Sequence, residues 1–398
     1  MERKIVNDLN ELQVSLGENM NFNYLNPFTF KDIEFNFNLK KNFADLSGLK
    51  HSNDNGSIAN SFISIKYYIF DNCKFNYEIG FFDKYDQKLV FQNNCEFNGI
   101  NLEDVKIEKK IKFYECHFKG ECNFQNTKFS DLADFWNSTF YVPISFYKTD
   151  FLGTTVFSAC TFKENVLFTY SLFKDKILFR GATFEKGLDL SLAINSGEYN
   201  FFNITLKNFN SVLSSNEVDY RFFLEDCIIP TINKKETFRI IKQYYKDNGD
   251  DLAYVRFLRI EKKPIYELII NDFKSTKRKH WWNYIHHFFD LLSLGLNKFS
   301  NNHRNSYILG IGFTILIGLL FFSFTLLSLP NFEIFWDLSN WTKNDLWKVY
   351  LSFMNPTHDI KLFDNFSPSF WTYLWQTWGR IFVGYGIYQT VQAFRKLK

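Results

Sequence analysis

Three groups of residues in this chain have types and spacing that could do chemistry. The densest set of metal-ligand types is "CHFKGEC", where Cys116, His117 and Cys122 fall within seven residues. Zinc needs thiolates and imidazoles converging on one point, commonly from a Cys-x-x-Cys pair. No such pair is present, and His117 directly follows Cys116, so in extended chain the two point to opposite sides. The reading is no metal site and no cofactor. A second group, His286 and His287, sits in a stretch dense in Trp, Phe and Leu, which suits a membrane interface better than a catalytic pair. The third is Gln376 and Arg380, inside the apolar run "FWTYLWQTWGRIFVGYGIYQTVQAF" (370–394). Polar groups at such depth face a bundle interior or a water-filled path.

On a wheel of about 100° per residue, Thr372, Gln376, Arg380, Val383, Ile387 and Thr390 share one face of that run. Trp371, Trp378, Ile381, Phe382 and Tyr385 share the other. One chain cannot enclose a pore with two helices, but several copies can. The six residues of the first face are therefore read as pore-lining, with Val383 and Ile387 as an apolar constriction. A tether is the competing reading, with Arg380 paired to Asp364 or to lipid headgroups. "VGYG" (383–386) matches four letters of the potassium filter, but it lies inside an apolar run with twelve residues after it. Gly384 and Gly386 are read instead as points of close packing or bending. No Gly-rich phosphate loop or nucleophile elbow is found, and no enzyme is expected.

The elements that must position these groups follow from the apolar pattern. "SYILGIGFTILIGLLFFSFTLLSL" (306–329) holds 24 residues without a charge, enough to cross a hydrocarbon core of about 30 Å. With 370–394 it makes an expected two-span module. Ten Lys and Arg lie in 255–305 and three in the tail, against three in 330–369 beside five acids. Both termini are therefore expected in the cytoplasm. The opening "MERKIVNDLNELQVSLG" has no apolar signal core, so the first 300 residues are expected in the cytosol. "DLWKVYLSFMN" reads as a short amphipathic helix at the outer surface, ended by Pro356. The basic cluster and aromatic run of 274–305 read as a helix in the membrane interface, with Trp281 and Trp282 at headgroup level. "KETFRIIKQYYKDNGDDLAYVRFLRIEKK" (235–263) reads as two helices broken at "DNG", the second capped by Asp250 or Asp251.

Upstream, Phe recurs at 113, 118, 124, 129, 135, 140, 146, 151, 157, 162, 168, 173, 179 and 184, then Leu190, with steps alternating five and six. Weaker echoes run from Phe75 to Leu102 and from Phe201 to Ile229. Two places before each stands a mostly small residue, such as Cys116, Cys122, Thr127, Ala133, Ser138, Thr149, Cys160, Ser171 or Ala182. In extended chain these pairs point the same way. The pattern predicts a solenoid with a Phe interior, 22 residues per coil if four units make one, and about seven coils over 70–230. All six cysteines then read as small interior residues in a reducing compartment.

This ladder resembles the pentapeptide-repeat family, with its small residue two places before a central Leu or Phe. The resemblance implies a right-handed quadrilateral β-helix. The whole arrangement resembles bacterial pentapeptide-repeat proteins ending in a two-span, ion-channel-like module. In architecture it is similar to membrane effectors of anti-phage defence, including those of the Hailong type.

The expected plan is an N-terminal cap region at 1–60, a β-helix at 61–232, a helical hairpin adapter at 233–273, an interfacial segment at 274–305 and a two-span module at 306–398. The expected function is an ion channel of a bacterial inner membrane, gated through its cytosolic region and depolarising the cell in defence. Its expected partners are membrane lipid, other copies of itself (a tetramer) and a nucleotide or oligonucleotide signal. The alternative is a membrane-held scaffold for a protein partner. A net charge of +3, from 46 basic and 43 acidic residues, argues against stable duplex binding and against DNA mimicry.

Overall fold

From residue 67 to residue 206, every strand pair is parallel and joins residues 21 or 22 positions apart, as in Phe118↔Phe140, Phe140↔Phe162 and Phe162↔Phe184. A parallel pair with so short a connection can only be one coil lying on the next. The computed structural model describes residues 3–8, 11–12, 28–39, 67–81, 84–207, 209, 211, 213, 226–275, 281–329, 346–357, 362–363 and 367–395. They fall into two compact units, Met1–Tyr244 and Tyr245–Lys398.

The first unit holds 27 short strands, β1 (Lys4–Val6) to β27 (Thr205–Leu206), in sheets of 13, eight and six strands. The largest sheet carries two strand stacks, joined where β9 (Glu96–Asn101) and β12 (His117–Asn123) run round a corner. Each coil thus contributes to four stacks. Phe75, Phe97, Phe118, Phe140, Phe162, Phe184 and Leu206 align in register, giving six turns. At the inter-strand spacing that is about 29 Å. Among the described residues strand pairing runs to β27, and a helix begins at Thr231; the expected seventh turn falls largely on 208–225, outside the described residues. At the other end, β1, β2 (Phe28–Lys31) and β3 (Ile33–Phe35) already pair with the stacks. The solenoid therefore begins well before the expected boundary at 61. That boundary itself falls in 40–66, outside the described residues.

Four columns of rings fill the interior. Phe97, Phe118, Phe140 and Phe162 stack at centroid spacings of 5.0, 4.4 and 4.8 Å. Phe91, Phe113, Phe135 and Phe157 repeat at 5.0 Å. Phe124, Phe146 and Phe168 form a third column, and Phe129, Phe151 and Phe173 a fourth. Each buried ring contributes up to about 1.5–3 kcal/mol by area, and favourable ring pairs about 0.5–1.5 more.

The alternation of five and six is an alternation of corners. Five-residue steps are tight turns: the Ser138, Thr149, Cys160 and Ser171 N–H groups donate to the carbonyls of Phe135, Phe146, Phe157 and Phe168. The third residue of each turn has positive φ, at Asn137, Lys148, Ala159 and Tyr170. Asn and Gly tolerate that region; Ala and Tyr do so at a cost. Six-residue steps carry the extra residue and pass close over the coil beneath. At Gly120 an added Cβ would lie 1.7 Å from the Asn98 carbonyl oxygen.

The small interior residues do more than fill space. Ser138, Thr149, Ser171 and Thr127 donate hydroxyl hydrogen bonds of 2.6–2.8 Å to the carbonyls of Phe113, Phe124, Phe146 and Leu102, each 25 positions earlier. The Cys160 thiol donates likewise to the Phe135 carbonyl at 2.9 Å. All six cysteines are buried, and none is in a disulfide.

The open C-terminal edge is closed by α1 (Thr231–Asp247). Thr237 Oγ1 accepts from the Leu190 N–H at 3.0 Å, and Asn233 donates to Asp189 at 2.8 Å. The Tyr244 ring lies 5.4 Å from Phe201. A strand edge left bare would expose unpaired backbone, and the helix supplies side-chain partners for it. The sequence reading made this helix half of an adapter; its first four turns are the solenoid's cap.

The second unit is helical. α2 (Asp251–Ser275) starts where Gly249, at φ +70, breaks the chain, and the Asp250 carboxylate caps it by accepting the Ala253 N–H at 2.9 Å. There follow α3 (Trp281–Asn301), α4 (Tyr307–Leu327), α5 (Leu346–Phe353) and α6 (Phe370–Phe394). Among the described residues, α4 is the one helix both long and apolar enough to cross a membrane. The expected second span, α6, has the length, but its Gln, Thr and Arg residues dilute its apolar character.

Candidate functional site

The α4–α6 hairpin brings together the residues singled out above, though not as the wheel placed them. Facing pairs run antiparallel down its length. Tyr307 stacks on Phe394 at 4.6 Å, Gly310 meets Thr390, Thr314 meets Gly386, and Phe321 packs against Gly379 and Phe382. Ser328 bonds Thr372 at 2.9 Å. The buried stripe on α6 is Thr372, Gln376, Gly379, Val383, Gly386, Gln389 and Ala393. Its spacing of three and four is that of a left-handed helix pair, close to 3.5 residues per turn.

Against that seam the six residues read as pore-lining fall in different surroundings. A wheel at 3.6 residues per turn drifts from a 3.5-residue seam by about 20° per heptad. Thr372, Gln376 and Val383 are at most 1% exposed, sealed by α4 and α5 of the same chain. Thr390 is half-buried against Gly310. Arg380 and Ile387 lie off the seam: Ile387 is 40% exposed, and Arg380 Nε donates to the Pro356 carbonyl at 3.1 Å. The six residues therefore differ in burial, with Val383 sealed and Ile387, one turn on, exposed. Asp364, the suggested partner of Arg380, lies outside the described residues. Of the other face, Trp371, Trp378 and Ile381 are exposed, while Phe382 stacks on Phe321 and Tyr385 donates to Asn297. "VGYG" lies in unbroken helix.

Both ends of the hairpin are laced by polar groups. At one end, Ser369 caps α6 through a reciprocal pair with Thr372, and Ser369 Oγ donates to the Ser328 carbonyl at 3.1 Å. At the other, Asn301 donates to Gln389 Oε1 at 2.6 Å and to its carbonyl at 2.9 Å. Gln389 and Tyr385 both donate to Asn297 Oδ1. This network ties α3 to α6, and nothing in the sequence pattern announced it. α5 is also more than a surface helix: Tyr350 and Phe353 pack on Phe322, and the Tyr350 hydroxyl donates to the Ile315 carbonyl at 3.1 Å. α3 keeps Trp282, Phe288, Phe289, Leu292 and Phe299 exposed, and His286 is exposed beside them. The side chain of Trp281 is outside the described residues.

On the solenoid, His117 projects outward, half-buried, 6.1 Å from the Tyr141 ring. Burial holds its imidazole below the usual range, with Lys119 and Arg3 adding to the effect and Glu96 opposing it. A second outward column was not foreseen. Tyr114, Trp136, Ser158, Arg180 and Phe202 follow one another at 22-residue intervals. Tyr114 and Trp136 lie 6.0 Å apart, and Arg180 sits 5.3 Å over Phe202. Asp134 lies beside them, its carboxyl held above the usual range by burial.

A stack of four-faced coils closed by a helix, followed by helices of which one is long and apolar enough to span a bilayer, defines a β-solenoid protein with a candidate membrane segment. The coils are built of pentapeptide repeats: residues 93–139 and 146–194 match that family in nine copies. No curated protein and no solved structure matches the chain.

Proposed function

We propose that the protein is a membrane-held scaffold. The α4–α6 hairpin inserts in the bilayer, and the pentapeptide-repeat solenoid presents its wall to a protein partner. One observation carries this reading: the inner polar stripe of α6 is buried within the chain, and Thr372 and Gln389 are hydrogen-bonded there. Thr372, Gln376 and Gln389 face the hairpin's own seam or α3, so α6 can lie in lipid without sister copies to cover them. Exposed Trp136, Arg180 and Phe202, in register on one wall, are the residue types that dominate protein interfaces. Membrane fractionation of the full chain, followed by mass determination in mild detergent, tests the reading. A membrane-bound monomer supports it; a chain soluble without detergent contradicts it.

A gated ion channel is the second reading, favoured by a different feature of α6. Thr377, Gly384 and Ile387, with Arg380 between them, follow one another on its outer side and are exposed or half-exposed. Association of several copies along that stripe would bring polar groups to a common axis. The bacterial inner membrane and a depolarising role in anti-phage defence belong to this reading and rest on resemblance of architecture. Ion flux in liposomes, with and without cell extract, tests it; no flux under either condition counts against it.

A further inference from the structure

The corner where α2, α3 and α4 meet is rich in cations. α2 and α3 lie side by side, with the rings of Phe273 and Tyr284 at 4.2 Å. Equal rise along two helices joined by a short link then sets 259–262 beside 295–298, at the end of α3. His303 follows that helix. Its imidazole is held below the usual range by burial, and then by Lys262, Lys298 and Arg259, three cations drawn from both helices. Arg304 is next and exposed, and its backbone N–H donates to Asn301 Oδ1 at 2.9 Å. Among the described residues, none of these four cations is in an ion pair. The nearby carboxylates in sequence are Glu261, which is buried, Glu267, exposed five residues after Lys262 on α2, and Asp290, exposed two turns earlier on α3. The apolar run of α4 begins three residues after Arg304, at Tyr307. The exposed rings of α3 lead into the same corner.

We propose that Arg259, Lys262, Lys298 and Arg304 bind the phosphate of an anionic phospholipid headgroup. Lysine and arginine gathered where a span leaves the bilayer are drawn to anionic lipid, and unpaired cations there have no internal charge to release first. Guanidinium and ammonium groups from two helices and a loop would surround one phosphate, while the Phe288, Phe289 and Phe299 rings rest among acyl chains. The headgroup would thereby fix α2 and α3 against the membrane surface. The inference rests on reading α4 as a membrane span.

The test uses the full chain in neutral detergent, with mixed micelles of phosphatidylglycerol or phosphatidylcholine, and native mass spectrometry to count retained lipid. The wild type should keep phosphatidylglycerol in preference to phosphatidylcholine. Each of Arg259→Gln, Lys262→Gln and Arg304→Gln should weaken retention by about fivefold. Lys109→Gln with Lys110→Gln, on the solenoid, should change nothing. Equal retention of the two lipids by wild type overturns the proposal without need of any variant. So does a preference that survives all three substitutions together in a variant with unchanged unfolding temperature. Excess inorganic phosphate should compete weakly; binding of phosphate with no preference between the lipids would assign the site to free phosphate and overturn it. Carbonate extraction of membranes is run alongside. A chain that stays membrane-bound but shows no lipid preference defeats this inference alone, whereas a chain extracted as soluble protein defeats the span itself.

Discussion

Gly386 of α6 interlocks with Thr314 of α4: a Cβ at Gly386 would lie 2.5 Å from Thr314 Oγ1. The relation is reciprocal four residues away, where a Cβ at Gly310 would lie 2.7 Å from Thr390 Oγ1. Each threonine bonds back to the glycine carbonyl of its own helix, Thr314 to Gly310 at 2.7 Å and Thr390 to Gly386 at 2.9 Å. Two Gly-x-x-x-Thr units, run antiparallel, thus bring the helix backbones close without leaving a hydroxyl unbonded. Close approach of small residues is how helices associate where lipid supplies no hydrophobic drive.

The hairpin should therefore fail at these glycines and not at their neighbours. Gly386→Leu or Gly310→Leu should destabilise it by about 1–3 kcal/mol or more. Gly312→Leu meets nothing within 4 Å and should be silent. Thermal unfolding of the detergent-solubilised chain, read by proteolysis between α4 and α6, checks the contrast.

In the solenoid, corner backbone sets the cost of substitution. Gly120→Ala should be severe, because its methyl would run into the Asn98 carbonyl. Ala159, at φ 58, has the opposite sign: Ala159→Gly should stabilise by about 1 kcal/mol. Denaturant melts of the full chain followed by far-ultraviolet circular dichroism measure both.

The interior hydroxyls predict a graded series. Ser171→Ala removes a 2.6 Å bond to the Phe146 carbonyl and should cost about 1–2 kcal/mol. Ala182 occupies the position next above Cys160 in its own column, with the Phe157 carbonyl 25 residues earlier. Ala182→Ser can donate to it and should be neutral or stabilising. Opposite signs for the two substitutions, in the same melts, are the expected result.

His117 should give the solenoid an acid-side weakness. Burial favours its neutral form, so the folded state binds fewer protons than the unfolded chain once pH falls below the unfolded value of about 6.5. Stability is unaffected by His117 above that value and is lost as pH falls toward its depressed folded value. His117→Asn should flatten the fall. Glu96, paired with Arg3 and Lys119 and held below the usual carboxylate range, acts in a lower window. Melting temperatures across mildly acidic pH, for both forms, separate the two.

The solenoid was legible because its period is enforced at every coil. A Phe every five or six residues, with a small residue two before it, leaves one way to stack, and the register of 22 follows. Its ends were not legible. The echo from Phe201 to Ile229 reads as more coil; among the described residues the last pairing is at Leu206, and Thr237 of α1 covers the Leu190 edge. The N-terminal strands lack the ladder's spacing, so the segment before residue 61 reads equally as a cap or as the start of the solenoid. The hairpin was legible as apolar length, while its seam was hidden by the choice of period. Thr372, Gln376 and Val383 satisfy both 3.5 and 3.6 residues per turn, but Arg380 and Ile387 satisfy one only. The Asn297–Asn301–Tyr385–Gln389 network joins residues 88–92 positions apart, and no local pattern reports such a contact.

The central claim is that α6 seals its polar stripe within its own chain. Cysteine accessibility in the membrane-embedded protein tests it most directly, since all six native thiols are buried. Gln376→Cys and Val383→Cys should resist a charged, water-soluble thiol reagent, while Ser367→Cys, just outside the helix, should react at once. Rapid modification at Gln376→Cys and Val383→Cys, at rates like that of Ser367→Cys, would show water at the seam and contradict the account.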